Sequence, residues 1–208
     1  MQTRKIKFNF GMTYIELIIV LSIFALLSTV AVFNYGEFQD KVDIKNLASD
    51  VALRVVKAQK DSLSGALPGV SVPSNWKPSY GVYFKPTGTG ADNKSFVYFV
   101  DISSPPNNVY DGDFDCPHFT ECLEKVTITK GSVISALKVF YLADPDPETL
   151  EDLTVTFSRV NSGGKLVSGG AVLVGVDRIE IDFHSPRGST GCLNLYPSGR
   201  VELTNCGA

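Results

Sequence analysis

The chain is poor in the residues that build catalytic and metal centres. It has two histidines and four cysteines in 208 residues. His118 and His184 lie far apart, and neither sits beside a nucleophile in a known motif. Excess positive charge is also lacking: 19 basic side chains stand against 22 acidic ones, for a formal charge of −3. A broad basic surface for nucleic acid is therefore excluded, and no nucleic-acid partner is expected. The 18 glycines and 11 prolines follow no fixed period, which rules out collagen-like and low-complexity chains. Gly163-Gly164 and Gly169-Gly170 flank Lys165, but no strand–GxxxxGK–helix order surrounds them, so they read as turns within a loop over 162–170. No enzymatic activity and no resident cofactor are expected. Proline is absent from residues 12 to 64.

What is abundant is apolar side chain at one end. Residues 12–33 read MTYIELIIVLSIFALLSTVAVF, with one ionisable group, Glu16. As a helix, that run spans about 33 Å, enough for a hydrocarbon core of about 30 Å. Arg4, Lys5 and Lys7 precede it with no acid among residues 1–11. That basic flank belongs on the cytoplasmic side and the rest of the chain outside. The run is too long for a secretory signal, and its clearest small residue, Gly11, lies before it. A plain anchor fits the length but not Glu16, because a carboxylate at the centre of a spanning helix costs about 3 kcal/mol unless paired. Cutting after Gly11 would turn Met12 into a free α-amine, one helical turn from Glu16. That amine and the carboxylate can neutralise each other in lipid, within one chain or between neighbours.

The stretch Gly11-Met12-Thr13-Tyr14-Ile15-Glu16-Leu17, behind its basic leader, resembles the class III signal of type IV prepilins and type II secretion pseudopilins. The resemblance implies cleavage after Gly11 by a prepilin peptidase and methylation of the Met12 amine. It further implies assembly with other pilin or pseudopilin subunits on a membrane platform, with Glu16 as the assembly residue. The subunit would sit in the cytoplasmic (inner) membrane by a single pass, its C-terminal domain outside, and later in an extracytoplasmic fibre. Two features depart from the pattern. Met12 replaces the commoner phenylalanine, and no proline near Phe33 encodes a kink.

Beyond residue 33 the sequence turns amphipathic. Ile44, Leu47, Ala48, Val51, Ala52, Val55 and Ala58 follow helical spacing, and Ser64-Gly65 with Pro68 supplies a stop. Residues 66–208 lose the helical period. Strands are expected at 80–84, 96–102, 125–129, 133–141, 153–160, 171–176, 178–184, 192–196 and 200–204, separated by turn-rich pieces. The fold class expected is α+β and pilin-like: a long N-terminal helix, half membrane and half amphipathic, packed on an antiparallel β-sheet domain. Its parts are a leader at 1–11, a transmembrane or fibre-core helix at 12–33, a stalk helix at 34–64 and a globular domain at 66–208. The stalk segment 47–58 and the C-terminal hairpins resemble those of H-type minor pseudopilins and related minor pilins. The hairpins are Arg178–Phe183, a Pro186-Arg187-Gly188 turn, Leu193–Tyr196, a Pro197-Ser198-Gly199 turn and Arg200–Leu203. A role in type II secretion and one in type IV pilus biogenesis both remain open, as does a monomeric tethered binding protein.

Cys116, Cys122, Cys192 and Cys206 all follow the apolar run, on the side where disulfides persist. Of three pairings, the local ones, Cys116–Cys122 and Cys192–Cys206, are expected. The second is similar to the C-terminal loop disulfide of many pilins. A metal site from Cys116, His118 and Cys122 lacks a fourth ligand and the usual spacing. Asp111, Asp113 and Asp115 alternate like calcium ligands, but glycine and glutamate fall at the wrong positions, so a solvated acidic turn is the better reading and calcium a weak one. Trp76, Tyr80, Phe114 and Phe119 are expected in the core.

Overall fold

A computed structural model describes residues 12–208 apart from 70–71, 73–75, 78, 104, 113, 117–120, 145, 160, 205 and 207–208; for 31–34 and 161–162 it describes the backbone alone. Among the described residues one helix, α1 (Tyr14–Ser64), precedes eleven strands. The fold is α+β with two antiparallel sheets. The chain divides into two compact units, Met1–Gln39 and Asp40–Ala208, and α1 contributes to both.

In the first unit, α1 carries the apolar run. It is the one described helix long and apolar enough to cross a membrane. Gly36 does not interrupt it.

In the second unit, Ile44, Leu47, Ala48, Val51, Val55 and Ala58 are buried at helical spacing, as the periodicity requires. α1 stops in a Schellman arrangement. Gly65 takes φ +68°, its N–H donates to Ser62 O at 3.3 Å, and Ala66 N–H donates to Asp61 O at 3.0 Å. Positive φ strains any residue with a Cβ, so glycine belongs at this position.

The first sheet contains β1 (Ser79–Phe84), β2 (Ser95–Val100), β3 (Cys122–Thr127), β6 (Leu153–Ser158), β7 (Asn161–Ser168) and β8 (Ala171–Val172), in the order β3-β2-β1-β6-β7-β8. The second contains β4 (Val133–Tyr141), β5 (Glu148–Leu150), β9 (Val176–His184), β10 (Thr190–Leu195) and β11 (Val201–Thr204), in the order β11-β10-β9-β4-β5. The chain visits the sheets alternately, with three strands in the first, two in the second, three more in the first and three closing in the second. A single core joins both sheets to the second half of α1, with Val51, Val55, Phe84, Phe96, Leu137, Ile181 and Leu193 fully or almost fully buried. Burying a side chain of this kind contributes about 1.5–3 kcal/mol.

β2 reads Ser-Phe-Val-Tyr-Phe-Val and is buried at every position. Phe96, Tyr98 and Val100 enter the main core, while Val97 and Phe99 join a second cluster with Tyr110. A strand covered on both faces needs no polar alternation, which explains the continuous apolar run.

The expected antiparallel β part is divided between two sheets, and two strand expectations are corrected. Residues 161–168 are a strand, not a loop: β7 pairs with β6 from Thr154↔Val167 to Ser158↔Asn161, and only Gly169-Gly170 turn. Gly163-Gly164 is thus no turn. At Gly164 a Cβ would lie 3.1 Å from Phe157 Cε1, so the missing side chain allows close packing. The single strand expected at 171–176 is broken at 173–175, where Gly175 has φ +75° and the chain crosses between sheets.

Candidate functional site

Gly11 lies outside the described residues. Met12 is exposed ahead of α1, and Glu16 sits in the first turn. Thr13 N–H donates to Glu16 Oε2 at 2.9 Å, and the Thr13 hydroxyl donates to the same oxygen at 2.8 Å. Glu16 N–H lies 3.4 Å from Thr13 Oγ1. This is a capping box, in which the N-cap threonine and the glutamate three residues on satisfy each other's orphan groups. The sequence reading overlooked Thr13, although the Thr-x-x-Glu spacing signals it. Both bonds fall on Oε2; among the described residues Oε1 accepts none.

Around Glu16 the helix is apolar on every side. Ile15, Leu17, Ile18, Ile19, Val20, Leu21, Ile23, Phe24, Leu26, Leu27 and Val30 are all exposed, from 46% to 70%. An amphipathic surface helix would bury one stripe, whereas this one buries none among the described residues. Helices apolar all round are covered by lipid or by other helices. Ser22 and Thr29 return their hydroxyls to the carbonyls of Ile19 and Ala25, both at 2.8 Å, so they add no unpaired donor to that surface.

In the second unit polar contacts lock α1 to the first sheet. Arg54 binds Glu124 at 2.7 Å. Tyr98 donates to Asp61 at 2.6 Å, and Tyr80 donates to Ala66 O at 2.7 Å. Burial, then Asp61, pushes Tyr80 up to about 12. Burial and the bond to Asp61 raise Tyr98 as well. Both phenols therefore stay protonated donors at neutral pH. Trp76 meets Tyr80 edge-on at 6.2 Å and donates to Asp101 O at 2.6 Å. Tyr80 is buried, and Trp76 and Phe114 are partly buried against the two clusters; Phe119 lies outside the described residues.

The segment between β2 and β3 covers the outer face of the first sheet. Two buried carboxylates organise it. Asp101 accepts the backbone N–H groups of Ser103 (3.0 Å) and Asn108 (2.7 Å). Glu121 accepts those of Ile102 (3.3 Å) and Asp111 (3.0 Å). Burial raises both carboxyls above the ordinary range, against the pull of these bonds. Neither residue was singled out from sequence, because nothing local distinguishes a buried acid from a solvated one. Asp111 and Asp115 are exposed, and Asp113 lies outside the described residues. Asp111 accepts a bond from Asn107 at 2.5 Å.

Disulfides join Cys116 to Cys122 and Cys192 to Cys206. The first closes the covering segment onto β3, and the second ties the C-terminal residues to β10. A loop of about 15 residues closed in this way stabilises by about 3 kcal/mol. His118 lies outside the described residues. Asp182, Cys192 and Cys206 bring three ligand-type atoms within 4.8 Å of one another. Both sulfurs are consumed by the disulfide, and Lys138 binds Asp182 at 2.6 Å, so this donor set does not fit a cation. The Asp182 bond, with Glu180 at 3.2 Å, raises the Lys138 pKa and keeps it charged.

Comparison with known proteins finds no family model, no curated protein and no solved structure that matches this chain.

Proposed function

We propose that the chain is a pilin-like structural subunit, a minor pseudopilin or minor pilin. It is cut between Gly11 and Met12 and assembles into a type II secretion pseudopilus or a type IV pilus, without enzymatic activity of its own. The observation that carries the reading is the contrast along α1. Its first half exposes apolar side chains all round with one acid near the tip, and its second half is built into a β domain. In a growing fibre those side chains pack against neighbouring helices. Glu16 then sets register, because a carboxylate in that apolar seam is costly unless an ammonium answers it. A freshly cut Met12 amine, on the same chain or a neighbour, is that ammonium. The prepilin peptidase and the membrane platform are the further partners this reading requires.

Mass spectrometry of the mature protein from its native host tests the reading. The N-terminus is expected at Met12, carrying one additional methyl group. A chain that begins at residue 1 overturns it. A second measurement isolates the charge: Glu16→Ala is expected to be processed normally and to be lost from the fibre.

One observation favours a second reading, a monomeric membrane-tethered binding protein. The capping box already satisfies one oxygen of Glu16 within the chain. On that reading Glu16→Ala leaves membrane attachment unchanged and no fibre contains the protein.

A further inference from the structure

The edges of the two sheets are treated differently. In the first sheet, β3 is closed by the Cys116–Cys122 disulfide, and its Glu124 and Lys125 are paired with Arg54 and Asp92. β8 is two residues long. These are the usual devices that blunt an edge. The second sheet ends in β11 on one side and in the three-residue β5 on the other; β5 is short as well, but neither edge carries a bulge, a disulfide within the strand or a covering element among the described residues.

The β5 edge is acidic, whereas the basic side chains beside β11 belong to α1. Between α1 and β11 runs a groove of about 570 Å³, lined by Lys41, Ile44, Lys45, Ala48 and Leu203. Most nearby charges are satisfied locally, although Glu37, one turn before Lys41, is exposed. Asp40 takes Ser185 and Arg187, Asp43 takes Lys130, and Glu202 takes Arg200 and Tyr196. Lys41 and Lys45 are exposed and have no acidic partner among the described residues, so the groove is apolar at its floor and positive at its rim. At the far edge, residues 142–158 hold five acids and no base. Asp144, Asp146, Glu148 and Glu151 are exposed without a cationic partner among the described residues. Leu142 beside them is 76% exposed. A second groove of about 280 Å³ lies between Glu148, Thr149 and Glu151 on one side and Ser168, Gly169 and Leu173 on the other.

We propose that the acidic β5 edge of one copy docks on the β11 edge of a second copy, seating residues 142–151 along the groove beside Lys41 and Lys45. Main-chain pairing between edges supplies affinity, Leu142 and Leu203 supply apolar contact, and the charges select this pairing over edge-to-edge contact of like kind. Four antiparallel steps separate β5 from β11, so the two edges run in the same direction. Copies related by translation can therefore pair, in a head-to-tail contact that does not close on itself. This rests on the assembly reading above and deepens it by naming the surface.

The test places a benzoylphenylalanine photo-crosslinker at Leu203 of the full-length chain in membranes of the native host. A covalent dimer is expected, with the adduct mapped to residues 142–151 of the second copy. The yield should fall about tenfold in K41E/K45E and in D146K/E148K, and recover when the chain carries both reversals. Cross-linking to another segment or another protein, or a yield indifferent to the reversals, overturns the proposal. Processing at Gly11 and the fate of Glu16→Ala are read separately, so a failed dock is distinguishable from a failed assembly reading.

Discussion

The two halves of α1 share a backbone conformation and differ in what answers their side chains. From Tyr14 to Val30 the helix exposes nearly everything, and Met12 ahead of it is 66% exposed. From Ile44 to Ala58 the inward stripe is 0–8% exposed. The second half is complete within one chain, since the sheets cover its apolar stripe. The first half is incomplete in water, since its apolar surface goes all round and no element of the described residues covers it. Incompleteness of that kind points to the medium or partner that finishes the structure, whereas a buried stripe says only that a domain is folded.

Charges placed in each half sharpen the comparison most. Val55→Asp buries an unpaired carboxylate in the core and is expected to cost about 4 kcal/mol or more, abolishing cooperative thermal unfolding of the β domain by circular dichroism. Leu26→Asp should leave that transition unmoved and deplete the protein from the membrane fraction. Equal melting of both variants would erase the distinction between the halves.

A smaller effect separates the β domain from the helix by pH. Asp101 and Glu121 have raised pKa values when folded, so the native state holds protons that the unfolded chain has released. Their stabilising contribution is full below the ordinary carboxyl range, about pH 4, and declines as pH rises through the raised values. The melting temperature of wild type relative to D101N/E121Q should therefore fall between pH 4 and pH 7. Parallel profiles would show that burial does not govern these acids.

The smallest effect concerns the helix tip. Thr13→Ala removes the cap and should cost about 1 kcal/mol of local helix stability, seen as faster amide exchange over the first turn. If Glu16 acts through charge pairing, Thr13→Ala leaves fibre incorporation near wild type while Glu16→Ala abolishes it. Equal loss in both would assign Glu16 a capping role alone.

Much of the architecture was legible from pattern. The stripe from Ile44 to Ala58, the stop at Ser64-Gly65 and most strand positions follow from periodicity and turn chemistry, which act over a few residues. β7 was not legible, because Ser162–Gly164 has the composition of a turn and becomes a strand only when β6 offers a ladder and Phe157 needs the space above Gly164. β5 escaped notice because three residues carry no period. The roles of Asp101 and Glu121 depend on backbone N–H groups brought to them by a loop that no short window contains. At the candidate site, Glu16 stood out through its cost in an apolar run, while its partner Thr13 was missed beside it.

Residues 12–64 needed no fold to announce a helix, since unbroken apolar and then amphipathic spacing without proline leaves few other conformations for them. Which sheet each strand joins, which acids are buried and which sheet edges stay open were settled only by packing, because those properties belong to pairs of segments distant in the chain. The acids at β5 and the α1 lysines beside β11 illustrate the difference. Both were present in the sequence, but they come to flank opposite edges of one sheet only after the strands between them are laid down in order.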